Sequence, residues 1–472
     1  MNIERFEVPG LAQYSYVLAH DGQAAVVDPM RDVDGYVAYA RTHGLRITHV
    51  LETHIHADFA SGATALAAET GAELWLSAHD AGEDFEYKFA HRSFADGEML
   101  ELGSMQIRAV HTPGHTPEHL SFLVFDLKRS KEVPVAMLTG DFLFVGSLGR
   151  PDLLGEGAKE KLADALYGSV HMVLTGLPDG LEVLPGHGAG SLCGAGMGEM
   201  AQTTLGYERT ANAFFRLGKC EFLREILGTV PPFPGYYRRM KRLNSDGAPL
   251  VKGVPGGVRI SAKALKDMIN VEEVTLLDVR RPESFGGAHV GGAVNIGAGR
   301  NLSLWAGWML DSAKRIVLIG ESGDDEQSRR SLIRVGLDGI AGYLEGGMAA
   351  WVEEGFAMQA IPQVSVSELE RRKGERLVLD VRSDGEWKGG HIEGAQHVML
   401  GDLPDRLGEL PRGQRIFTVC GSGYRSSLAA SLLQRNGFED VANMSGGMGA
   451  WGRQGLPLVR QDPGPGAEDE LG

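Results

Sequence analysis

The chain has 472 residues, which at about 150 per domain implies about three domains. Its 46 Lys and Arg against 62 Asp and Glu leave a net charge of −16, which argues against a nucleic-acid partner gripped by its phosphates. Three cysteines, Cys193, Cys220 and Cys420, odd in number and far apart, exclude a disulfide framework and fit a reducing compartment, while 66 glycines, about twice the usual share, belong in turns and close approaches.

The first residues hold no basic segment followed by an apolar run, and no stretch reaches the roughly 18 uncharged apolar residues of a membrane span. A cytoplasmic protein without membrane contact is expected. Residues 1–245 alternate between strand-like and helix-like segments. Residues 16–18 and 24–28 read as paired strands, 33–43 as a helix ended by Gly44, and 47–53 as a strand that runs into a histidine cluster. Residues 60–70 read as a helix ended by Gly71, and 120–125 and 135–139 as further strands. The basic run from Tyr236 to Arg242 is expected to be a solvated helix face or a domain contact, and Cys220 an ordinary helix position. Residues 246–258 read as a linker, and the Pro-, Gly- and acid-rich tail 461–472 as disordered.

Between linker and tail the sequence repeats. Leu276-Leu-Asp278-Val-Arg280 recurs as Val378-Leu-Asp380-Val-Arg382, and His289-Val-Gly-Gly-Ala as His391-Ile-Glu-Gly-Ala, both at an offset of 102. Gly-Gly-Met348-Ala-Ala-Trp351 recurs as Gly-Gly-Met448-Gly-Ala-Trp451 at an offset of 100. Two small α/β domains follow, 259–358 and 362–460.

Four motifs in the first half end apolar runs: His54-Ile-His56-Ala-Asp58-Phe59, His111-Thr-Pro-Gly-His115, Thr139-Gly-Asp141 and Leu184-Pro-Gly-His187. Loops at the ends of adjacent strands converge, and imidazoles with carboxylates make a transition-metal ligand set. The ordered set resembles the metallo-β-lactamase superfamily, whose signature is His-x-His-x-Asp-His followed by His, Asp and His in later loops. The resemblance implies an αβ/βα sandwich. Phe59 stands where the family carries the last His of its first motif, a ligand of the second metal in dinuclear members. What remains resembles the persulfide dioxygenases, and by that resemblance one Fe(II) per chain is held by His54, His115 and Asp141. His56, Asp58 and His187 are then outer-shell groups or alternative metal ligands, and Arg150 of Gly-Arg-Pro-Asp152 faces an anionic thiol substrate. Gly188-Ala-Gly-Ser-Leu-Cys193-Gly replaces the aromatic pattern of glutathione-using members, so coenzyme A, bacillithiol or another small thiol stands beside glutathione as the carrier. Cys193 is either an inert buried thiol or a sulfur carrier near the iron.

In the second repeat, Ile416-Phe-Thr-Val-Cys420-Gly-Ser-Gly-Tyr-Arg425 reads as strand, glycine loop and helix. Inward N–H groups of Gly421, Ser422, Gly423 and Tyr424 form a cradle that favours a thiolate or persulfide on Cys420, and Arg425 adds positive charge for an anion. With Trp387 and the two repeat motifs, this resembles rhodanese. In the first copy the corresponding loop runs from Gly320 to Asp325, so nucleophile and arginine are both absent. The expected protein is α/β: a metallo-β-lactamase sandwich followed by an inactive and an active rhodanese-like domain. It would oxidise a low-molecular-weight persulfide with O2 to sulfite, and a Cys420 persulfide would turn sulfite into thiosulfate, in sulfide detoxification. The resemblance to the superfamily adds an expected homo-oligomer. A zinc-dependent glyoxalase II-like thioester hydrolase with an appended sulfurtransferase, and a non-catalytic persulfide sensor or scaffold, are the alternatives.

Overall fold

The computed structural model describes residues 1–228, 233–271, 274–321, 325–372 and 377–460. The tail 461–472, expected to be disordered, lies outside the described residues. The chain forms two compact units, one of Met1–Val254 with Arg330–Asp338, the other of Pro255–Arg329 with Gly339–Gly472. No helix among the described residues is long and apolar enough to cross a membrane.

The first unit is a sandwich of two six-stranded sheets. One runs Asn2–Val8, Gln13–His20, Gln23–Val27, Arg46–Leu51, Glu73–Ser77 and Arg92–Phe94 in spatial as in sequence order, antiparallel over the first three strands and parallel thereafter. The other runs Thr203–Thr204, Glu182–Pro185, Ala136–Gly140, Leu120–Asp126, Met105–His111 and Met99–Leu102. Tyr16, Leu18, Val27 and Leu51 of the first sheet meet Ile107, Phe122, Val124 and Leu138 of the second in a continuous apolar core. Leu123, Phe125 and Met137, on the reverse face of the second sheet, pack against Ala163 and Leu166 of helix Glu156–Gly168 and against Phe222 of helix Lys219–Gly228. This is the αβ/βα layering that the motifs implied.

The paired strands at 16–28 and the helix stop at Gly71 are as read from the sequence. The second helix begins at Ala63 rather than at residue 60, because 60–62 is spent on contacts: Ala60 and Gly62 donate to the carbonyls of Arg334 and Pro29. The linker is not free at its start. Ala248 is buried, and the carbonyls of Ala248 and Pro249 accept from Thr64 and Arg31.

The second unit holds two five-stranded parallel sheets of one topology. One is Arg259–Ile260, Ile340–Leu344, Arg315–Ile319, Val274–Asp278 and Val294–Asn295; the other is Gln363–Val364, Val441–Met444, Ile416–Val419, Leu377–Asp380 and Gln396–His397. In each copy the Asp-Val-Arg motif closes on itself. Arg280 donates from Nε and Nη2 to Asp278 at 3.0 and 2.7 Å, and Arg382 to Asp380 at 2.9 and 2.6 Å. These residues are structural pins at the end of a buried strand.

Candidate metal centre and cysteine loop

The loop after strand Arg46–Leu51 carries His54, His56 and Asp58, and helix Tyr236–Asp246 holds its backbone. Tyr236 Oη donates to Asp58 O at 3.0 Å, Lys241 Nζ to Ile55 O at 3.0 Å, and Asn244 Nδ2 to His56 O and Phe59 O at 2.8 Å each. Glu118 Oε1 accepts the Ile55 N–H at 2.9 Å. Buried backbone groups that no strand can pair are thus satisfied by side chains. The expectation of a solvated basic face is corrected at Lys241, which is 1% exposed and whose pKa burial pushes down.

Three side chains converge above this loop. His54 Nε2 and His115 Nε2 lie 3.8 and 3.5 Å from Asp141 Oδ2. All three atoms are buried and have no hydrogen-bond partner. Such orphaned groups are costly unless something else satisfies them, and two imidazole nitrogens with one carboxylate oxygen aimed at a common centre fit a divalent transition metal. The remaining ring nitrogens are already engaged: His54 Nδ1 meets Thr53 Oγ1 at 2.9 Å, and His115 Nδ1 donates to Arg150 O at 2.9 Å. That leaves the Nε2 lone pairs for a metal. Burial holds His54 well below the usual imidazole range and lowers His115 to about 4, so both are in the neutral, ligating form.

His187 braces the carboxylates, with Nδ1 2.7 Å from Asp141 Oδ1 and Nε2 2.8 Å from Asp58 Oδ2. Burial opposes charge on each member, but two carboxylates on one ring raise His187 well above its ordinary value, and His187 in turn lowers Asp141. His56 turns Nε2 to Asp28 Oδ1 at 3.1 Å while its Nδ1 has no partner, and its ring lies 4.2 Å from that of His54. It therefore keeps one nitrogen available as a further ligand. The Phe59 ring lies tilted against that of His56, with centroids 4.3 Å apart, and offers no ligand atom where the family pattern has its sixth motif residue.

Two residues of the site escaped the sequence reading. Asp28, at φ 52° in the left-handed region, accepts from Thr53 N and Oγ1 at 2.7 and 2.9 Å as well as facing His56. His119 accepts the Asp141 N–H on Nε2 at 3.1 Å, and its Nδ1 meets Thr112 Oγ1 at 2.9 Å. Burial first, then His115, hold His119 well below the usual imidazole range, which suits an acceptor. The signals were present: a carboxylate ending the apolar run 24–28, and a third histidine four residues after His115. Gly140 is required between them. At φ +49° it passes so close that a Cβ would meet Thr53 Oγ1 at 2.6 Å and His119 Nε2 at 2.7 Å.

Arg150 requires a correction. It is 1% exposed, its Nε and Nη2 are on Asp152 at 2.7 and 2.8 Å, and Nη1 is on Leu192 O at 3.0 Å. A guanidinium neutralised by Asp152 and closed off from solvent does not present its charge to an anionic substrate. It instead fixes the loop whose carbonyl orients His115. Cys193 is buried, and its Sγ forms a cluster with Asp58 and His187 whose ligand atoms lie within 4.8 Å of one another. Burial and then the Asp58 and Asp141 carboxylates push its thiol well above the usual range. Cys220 is exposed on helix Lys219–Gly228.

In the second unit, Cys420 follows strand Ile416–Val419 and is fully buried. Its Sγ accepts from Gly423 N at 3.1 Å and Ser426 Oγ at 3.3 Å, where helix Tyr424–Arg435 begins. Gly447 explains the Gly-Gly-Met motif: a Cβ there would lie 2.3 Å from Cys420 O, so glycine lets this turn clamp the loop through Met448 N on Cys420 O at 2.7 Å. Arg425 sits beside the loop, but both its terminal nitrogens are on Glu386 at 2.7 and 2.6 Å. The expected fixed positive group therefore comes already paired. Desolvation opposes the Glu386 charge, but Arg425 lowers this carboxyl to about 2. That depressed value means its ion pair contributes above the ordinary carboxylate range and is lost only as pH falls through about 2. Glu386→Gln is expected to free Arg425 for anions: the KM for thiosulfate dianion as sulfur donor falls about fivefold, at any pH from about 5 to 8, where cyanide is present mainly as neutral hydrogen cyanide and its KM is unchanged. Steady-state kinetics on both co-substrates checks this.

In the first copy Gly320 stands at the nucleophile position, and residues 322–324 of that loop lie outside the described residues. Asp325, at the arginine position, accepts from Ser328 N and Oγ at 3.1 and 2.6 Å and so caps helix Glu326–Ile333.

Residues 8–192 match the metallo-beta-lactamase superfamily, and residues 261–354 and 365–454 each match the rhodanese-like domain. A crystal structure of a metallo-beta-lactamase from Staphylococcus aureus subsp. aureus COL is similar at 33% identity and a TM-score of 0.64, covering 73% of this chain and 99% of that one. A hydroxyacylglutathione hydrolase of Anaeromyxobacter dehalogenans is 33% identical over 44% of this chain and 83% of its own length. The hydroxyacylglutathione hydrolase GloC of Haemophilus influenzae is 27% identical over 45% of this chain and 98% of its own. The chain belongs to the metallo-β-lactamase superfamily, its metal-binding domain followed by two rhodanese-like domains.

Proposed function

We propose that the first unit is a mononuclear Fe(II) persulfide dioxygenase and that the active rhodanese copy is its sulfurtransferase partner. One observation carries the reading: His54, His115 and Asp141 aim orphaned atoms at one centre, while Phe59 removes a ligand that a second metal uses in dinuclear relatives. A facial set of two His and one carboxylate leaves positions open, and Fe(II) bound there would supply the redox chemistry by which a persulfide and O2 react. The balance is RSSH + O2 + H2O → RSH + H2SO3. Around that centre, His115 is oriented by the Arg150 carbonyl, Asp141 by His187 and the His119 ring, and the loop carbonyls by Lys241 and Asn244. Cys193, buried beside Asp58 and His187 with its thiol pushed well above the usual range, is the inert buried thiol of the two alternatives, because exchange with a persulfide needs a thiolate. On Cys420 a persulfide passes its outer sulfur to sulfite, Cys–SSH + SO3²⁻ giving Cys–SH + S2O3²⁻. The role is sulfide detoxification with a small thiol as carrier, and carrying both steps on one chain raises the effective concentration of sulfite at Cys420.

A second reading, a zinc thioester hydrolase, is favoured by the names of the relatives given above and opposed by Phe59. Anaerobic purification with metal analysis, then an oxygen electrode with coenzyme A, glutathione and bacillithiol persulfides, separates the two. The expected result is about one iron per chain, with O2 uptake matched by sulfite release. Zinc as the bound metal, hydrolysis of a thioester and no O2 uptake overturn the proposal.

A further inference from the structure

The second unit contains one intact cysteine loop and one copy without nucleophile or arginine, yet the disarmed copy keeps a fully formed Asp278–Arg280 pin. That pin leads to the active loop. The carbonyls of Asp278 and Arg280 accept from Asn295 Nδ2 at 3.0 Å each, which fixes the amide's orientation. Its other end, Oδ1, accepts from Ser427 Oγ at 2.6 Å, and Asn295 N donates to Ser431 Oγ at 3.0 Å. Two residues on, Gly297 O accepts from Tyr424 Oη at 2.8 Å, with the Tyr424 ring against the space a Cβ would occupy on Gly297. His289 Nε2 meets Gln434 Oε1 at 2.8 Å at the far end of the same helix. Tyr424, Ser427, Ser431 and Gln434 follow helical spacing, so one face of helix Tyr424–Arg435 is hydrogen-bonded along its length to the inactive copy. Asn295, Ser427 and Ser431 are all buried.

The position of these contacts gives them meaning. The Gly423 N–H and the Ser426 hydroxyl both donate to Cys420 Sγ. Each is the direct chain neighbour of a residue held by the other copy, Tyr424 in the first case and Ser427 in the second. The counterpart of Asn295 in the active copy is His397, at the offset of 102, whose Nε2 meets its own Arg382 O at 2.8 Å. Asn295 keeps the equivalent bond to Arg280 O and adds an acceptor turned outward to Ser427.

We infer that the inactive copy is the second half of the sulfurtransferase site, with Asn295 a positioning residue that sets the Gly423 and Ser426 donors on Cys420 through Ser427 and Tyr424. A copy that has lost its own chemistry thereby remains necessary to its neighbour's. The inference rests on the reading that Cys420 transfers sulfur.

The test uses the full chain, with thiosulfate as sulfur donor, cyanide as acceptor and thiocyanate as readout. Asn295→Ala and Ser427→Ala should each lower kcat about tenfold with little change in the KM for thiosulfate, since each breaks a buried bond that aligns the loop. The double variant should be no worse than the poorer single one, because both substitutions remove the same contact. The rate of alkylation of Cys420 by iodoacetamide at a fixed pH should change in all three, a readout that a purely docking contact does not move. Metal content of the first unit should stay at the wild-type level. Should Asn295→Ala fail to fold, Tyr424→Phe removes a single hydroxyl and is judged by the same kcat and alkylation rate. Folded variants with wild-type kcat and an unchanged alkylation rate overturn the inference. Transfer retained by Cys420→Ser overturns instead the reading on which it rests.

Discussion

Asp141→Asn leaves the purified chain without its metal. The substitution keeps shape and volume but removes the one formal negative charge among the three orphaned atoms, and an amide cannot bind a divalent cation as a carboxylate does. It also removes a carboxylate from the ring of His187, which two carboxylates hold in its charged form. Loss of groups that only orient ligands costs 10–100-fold in affinity, so loss of a ligand itself should cost more, at least about 1,000-fold. Metal analysis after dialysis is expected to give about one ion per chain for the wild type and less than about a tenth for the variant. His115→Ala should behave in the same way. Added metal should raise the melting temperature of the wild type and leave both variants unmoved, because a ligand stabilises only a fold that binds it. Full metal content in Asp141→Asn would displace the centre from this triad, with His56 Nδ1 the next available atom.

Cys420→Ser is expected to abolish the proposed sulfur transfer and to spare the metal site. A hydroxyl in the same loop accepts the Gly423 and Ser426 hydrogen bonds, so the fold is kept, but serine neither ionises at neutral pH nor holds a sulfane sulfur. Thiocyanate formation should fall at least about 1,000-fold. Metal content and O2 uptake on persulfide should stay at wild-type levels, because Cys420 and His54 belong to compact units with separate cores. Loss of O2 uptake with metal still bound would mean that the two steps are one and would refute the two-centre reading. Such a result would also make Cys193 the thiol to substitute next, since it faces Asp58 and His187.

Much of the site was legible because its groups stand at the ends of apolar runs. His54, His115, Asp141 and His187 each follow a strand, and strands of neighbouring sheets end together. Cys420 was legible for the same reason, standing between a buried strand and a helix. Arg150 was read as a substrate contact because a motif shows that a cation is present but not which carboxylate reaches it first, and Asp152 is two residues away. Arg425 carries the same lesson, its partner Glu386 lying 39 residues earlier. His119 and Asp28 went unread because they act on other ligands, through bonds to Asp141 N and His56 Nε2 that no spacing rule encodes.

The sequence by itself determined several of the strands, the motifs that end them, the duplication of a domain of about 100 residues and the loss of nucleophile and arginine from its first copy. These are local or periodic properties, written in residues close together or at a constant offset. Only the tertiary structure decided which charges are already spent, as at Arg150 and Arg425, which buried atoms are left without partners, and which residues of one repeat reach the other. Satisfaction of a buried polar group depends on whatever the fold brings within about 3 Å of it. For Asn295 that neighbour is Ser427, 132 residues along the chain.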